Sequence, residues 1–119
     1  MLDEQRRKRT MQEKVRVEIA ARAAVRPISH ETMAIQKQVA FLRARLTSSY
    51  TRLEERPGLV ERAQAVLQHI DGVVEAFDRQ CADLDDKARA STRIADARRA
   101  LLSAASGLRA GLRPDVSPN

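Results

Sequence analysis

Apolar side chains recur every three or four residues along most of this chain and almost never alternate strictly. Its segments therefore read as amphipathic helices and not as strands. The clearest stripe runs through Leu59, Ala63, Val66, Ile70, Val73, Phe77, Cys81 and Leu84. Leu67 and Val74 widen it to roughly 120°, as expected of a core helix. A second stripe, Ile28, Ile35, Val39, Leu42, Leu46, Tyr50 and Leu53, is roughly 80° wide, close to a coiled-coil seam. Ile94, Leu101, Ala105, Leu108 and Leu112 form a third.

Pro27, Pro57-Gly58 and Pro114 are the strong breaks between these segments. The first helix is expected over residues 2–25. Proline pushes the residue before it out of the helical region, so Pro27 should end that helix. Ser29 is then placed to cap a second helix, with Ile28 and Met33 as a hydrophobic staple and an end near Glu55. The short link at Arg56-Pro57-Gly58 makes the second and third helices antiparallel neighbours.

Residues 85–93 are polar but hold neither glycine nor proline, and two readings compete there. The heptad phase of Leu59, Val66 and Val73 continues through Ile94, Leu101 and Leu108, which favours one helix to about Gly111. Such a rod would be on the order of 80 Å long and would need a dimer to cover it. The polar interruption instead favours a break near Ala90, with Ser91 or Thr92 capping a fourth helix. The break gives the preferred fold: an all-α, three- or four-helix antiparallel bundle with coiled-coil-like packing. Its expected parts are a basic N-terminal helix (1–26), a bundle core (27–112) and a disordered tail (113–119).

Composition narrows the class further. A length of 119 residues fits one domain, and 43% hydrophobic content is enough to fold it. Four glycines, four prolines and three aromatic residues exclude a turn-rich sandwich or barrel. One cysteine excludes a disulfide scaffold and fits a reducing, cytoplasmic compartment. No apolar run approaches the roughly 20 residues of a membrane span. The basic cluster near the start is not followed by the apolar stretch of a secretory signal.

Charge is segregated. The chain carries a net +6, yet residues 59–86 alone carry −5 while the segments on either side are basic. Complementary charge can set which helices are neighbours. Within the acidic segment, Asp71, Glu75 and Asp78 form a strip opposite the apolar stripe, available to a basic partner. Arg6, Arg7, Lys8 and Arg9 are consecutive, so on a helix they point to all sides and no packed core can seat them. They are the candidate contact for a nucleic-acid backbone or an acidic partner. Phe41 lies about 120° from the seam of its segment and is a candidate anchor for a protein partner. Arg93, Arg98 and Arg109 border the last stripe as snorkelling arginines of a bundle helix, and no membrane contact is expected.

Candidate chemistry is sparse. His30 and His69 have no second histidine or cysteine at metal-ligand spacing. Asp83-Leu84-Asp85-Asp86 resembles half of a calcium loop but lacks its glycine and terminal glutamate. Cys81 sits in an apolar stripe, and no nucleophile–base pairing or phosphate loop is visible. The expectation is a protein that is not an enzyme and takes no cofactor, metal or small-molecule substrate. It should act as a helical protein–protein interaction module, such as an adaptor, a chaperone-like partner or an assembly component. The expected partner is another protein or a second copy of the chain. A nucleic-acid-associated accessory protein is the alternative.

Overall fold

The computed structural model describes residues 2–113, and within them every regular element is a helix. The order is α1 (Leu2–Thr47), α2 (Arg56–Ala82), a single turn α3 (Asp86–Arg89) and α4 (Thr92–Leu112). α1, α2 and α4 run up, down and up as a three-helix bundle. Cross-helix pairs set the direction: Glu31 meets His69, Asp78 meets Arg98, and Glu18 meets Arg93. The molecule measures 73 × 28 × 18 Å, an elongated shape that fits coiled-coil-like packing.

The core is apolar throughout, with no buried polar or charged residue among those described. Ile35, Ile70, Phe77, Leu101 and Leu108 are its largest fully enclosed side chains. Each contributes about 1.5–3 kcal/mol by leaving water. The stripes expected over Leu59–Cys81 and Ile94–Leu108 are the buried faces of α2 and α4. Small residues let α4 lie close to α1: Gly111 is buried, and a Cβ there would stand 3.8 Å from the Arg43 backbone.

The expected break at Pro27 does not occur. α1 passes through it as one helix of 46 residues. Proline removes one backbone donor, here the bond to the Ala23 carbonyl, and costs roughly 3 kcal/mol in a helix interior. Two features offset that cost. Pro27 and Ala23 are exposed, so the freed carbonyl meets water. Ala21, Ala24, Ile28 and Ile35 sit on one continuous buried stripe that spans the proline. The expected cap and staple are absent for the same reason. Ser29 Oγ donates to the Val25 carbonyl at 3.2 Å, and Met33 stays exposed.

The second expected seam is also shorter than its pattern. α1 ends at Thr47, and Tyr50 (94% exposed) and Leu53 (86%) lie in the following loop, out of the core. Side chains compete for the backbone here. Ser48 Oγ accepts from Tyr50 N–H at 3.2 Å, and Arg56 Nη1 donates to the Leu46 carbonyl at 3.2 Å, satisfying one of the last orphan acceptors.

The polar stretch after α2 does break. Asp85 caps α3, its carboxylate accepting from Ala88 N–H at 2.9 Å, and Ser91 caps α4 by accepting from Arg93 N–H at 3.3 Å. Ala88 is buried and anchors the turn. The single long rod that would have needed a dimer is therefore not formed. The tail from residue 114, expected to be disordered, lies outside the described residues.

Candidate functional site

α1 is longer than the bundle. It spans about 69 Å at 1.5 Å per residue, and its residues 2–12 are all exposed. Its first contacts with the rest of the fold are polar. Glu13 accepts from Lys87 and Glu18 from Arg93, while Arg16 lies 3.8 Å from Asp85. The Lys87 and Arg93 donors hold the Glu13 and Glu18 carboxyls below the ordinary glutamate range. These pairs latch the arm to α3 and the start of α4 on one side only.

On the other side of the arm, Met11 (68% exposed), Val15 (56%) and Ile19 (62%) stand in a row. They are about 150° around the helix from the core stripe of Ala21, Ala24 and Ile28. With Gln12 and Arg16 they line a shallow apolar depression that no described residue covers. Three aliphatic side chains thus face water in one row on a continuous helix. The row was readable in principle from its four-residue spacing. What hid it is that Val17, Ala21 and Ala24 offer a second apolar face on the same helix, and only tertiary packing shows which face is buried.

Arg6, Arg7, Lys8 and Arg9 lie on the exposed arm, and none forms an ion pair among the described residues. Phe41 is 53% exposed and borders a cleft of about 240 Å³ between α1 and α2, with Gln38, Arg62 and Val66. It is therefore half seated within its own domain.

The acidic strip is exposed and also carries ion pairs. Asp78 accepts two bonds from Arg98 of α4 at 3.0 and 3.2 Å, which stabilises the charged guanidinium further. Asp71 stands 3.9 Å from Arg109, and Glu75 stands 3.9 Å from Arg79 of its own helix. Asp71 and Asp78 face arginines of α4 because α2 and α4 are antiparallel neighbours, whereas Glu75 pairs only within α2.

The remaining reactive side chains serve the fold. Cys81 is buried among apolar residues, and burial pushes its thiol pKa up. His69 Nε2 is 2.9 Å from Glu31 Oε1, and His30 is exposed. Asp85 of the calcium-like run is a helix cap. No three histidine, cysteine or carboxylate side chains gather as a metal site among the described residues. The charged arm, its aliphatic row and the Phe41 cleft are thus brought along one helix, and the acidic strip lies apart from them on α2. No protein-family model matches the chain, and no curated protein or solved structure does either.

Proposed function

We propose that this chain is a non-enzymatic helical interaction module that binds another protein through the outer face of the α1 arm. The observation that carries the reading is the row Met11, Val15 and Ile19, exposed on a stiff helix that reaches beyond its own bundle. Such residues at one-turn spacing are how helices present anchors to a partner. A photo-crosslinking residue at Gln12, beside the row, tests this in the cells that make the protein. Protein adducts are expected at Gln12 and not at Gln64 on α2, and Val15→Ser with Ile19→Ser should remove them. No protein adduct at Gln12, or one that survives those substitutions, would refute the reading.

A second reading is supported by Arg6, Arg7, Lys8 and Arg9, four exposed cations with no ion pair among the described residues: contact with a nucleic-acid backbone. It requires a duplex anisotropy signal that falls steeply with salt and disappears when all four are changed to alanine. A salt-independent signal, or none, removes it.

A further inference from the structure

The chemistry of the arm narrows the kind of protein it fits, an inference that rests on the protein-interaction reading above. Met11, Val15 and Ile19 are spaced four residues apart, so they form one ridge inclined at roughly 26° to the helix axis. A ridge of that kind seats in the groove of another helix crossing at about 50°. The occupant is thus a helix, and the charges around the ridge select its sign. Beyond the ends of the ridge, Lys8 toward the N-terminus and Arg22 and Arg26 toward the C-terminus lie on the same face of the helix. Lys14 borders one side and Arg16 the other. Of the carboxylates on this side, Glu18 is held by Arg22 and Arg93, and Glu4 lies farther out, one turn beyond Lys8. Lys8, Lys14 and Arg26 are exposed and make no ion pair among the described residues.

A second copy of the chain fits this surface badly. With Val15 at the crossing point, a parallel copy sets Lys8 beside Lys8 and Arg22 beside Arg22. An antiparallel copy sets Lys8 nearest Arg22, with the opposite charges of Glu4 and Arg26 meeting only farther out. Either way like charges meet at both edges of a small apolar contact. An anionic membrane would match the charge. The ridge, however, holds none of the Trp, Phe or Leu side chains that interfacial helices sink into lipid, and three aliphatic residues are a narrow patch for it. We infer that the ridge docks an amphipathic helix of a different protein, one whose apolar stripe is bordered by aspartate and glutamate. The aliphatic row supplies the contact and the flanking cations choose the partner.

The test uses the full chain and two synthetic helical peptides with the same leucine stripe, one flanked by glutamate and one by lysine, read by fluorescence anisotropy. The glutamate peptide should bind, and the lysine peptide should bind about tenfold more weakly or not at all. Val15→Ser with Ile19→Ser should weaken the glutamate peptide about tenfold. Lys8→Glu with Arg26→Glu should weaken it about threefold. All four positions are exposed, and unchanged helical circular dichroism shows that the variants fold. Equal binding of the two peptides, lost in the serine variant, would overturn the acidic partner and leave protein docking standing. Self-association of the chain that the serine variant abolishes would do the same, with a second copy as the occupant. Failure of both peptides while phosphatidylserine vesicles sediment the chain would overturn this inference and the docking reading together.

Discussion

Glu13 and Glu18 tie the arm to the bundle, and their chemistry makes that tie depend on pH. Lys87 and Arg93 hold both carboxyls below their ordinary range. A depressed folded value means that the contribution is present above the ordinary pKa of about 4.3 and is lost as pH falls through the lower, folded value. The pairs are exposed, so each contributes little by itself. Thermal melts between neutral pH and about pH 3 should therefore show a modest loss of Tm for the native chain, and a shallower one for Glu13→Gln with Glu18→Gln. An identical slope for the two proteins would show that these pairs do not stabilise the fold. Gly72 offers a second test at this scale. It is exposed within α2, and a Cβ there would meet nothing within 4 Å. Gly72→Ala should raise stability by about 0.5–1 kcal/mol in denaturant titration, because alanine orders at lower entropic cost in a helix. A loss would mean that something covers this face.

At the level of elements, the proline inside α1 decides most. Sequence rules place a boundary at Pro27, and for an isolated segment that inference is sound. It fails here because the buried stripe on either side of the proline has the same phase, so packing α1 as one piece recovers more than the lost hydrogen bond. Pro27→Ala should then stabilise the protein by about 1–2 kcal/mol, a restored bond partly offset by a freer unfolded chain. No gain on equilibrium unfolding would mean that the helix does not run through this position.

The faces of α2 and α4 were legible because helical periodicity and burial coincide from Leu59 to Cys81 and from Ile94 to Leu108. Tyr50 and Leu53 kept the phase of the seam without belonging to a helix, since the serines before them turn the backbone. The aliphatic ridge of the arm was the least legible. Two apolar faces share one helix there, and only the neighbours it packs against tell the buried face from the exposed one.

For the whole molecule, a small bundle and a long first helix combine into a rod with one projecting end. α2 and α4 cover α1 from Ala21 onward, and α3 and the start of α4 hold it at Glu13 and Glu18; residues 2–12 stand in solvent with their cations, and the aliphatic ridge runs from Met11 on that projecting part to Val15 and Ile19 on the outer face of the latched part. Charge is arranged at two levels: carboxylates of α2 face arginines of α4 across the bundle, while Arg6, Arg7, Lys8 and Arg9 on the arm make no ion pair among the described residues. The proposed docking role depends on α1 staying one extended helix, because an N-terminal segment folded back along it would cover the ridge. Small-angle X-ray scattering at dilution measures it directly. An extended arm predicts a radius of gyration near 20.1 Å and a longest dimension near 73 Å. A value near the roughly 13.5 Å of a compact domain of this length would show the arm folded back, and would contradict the account.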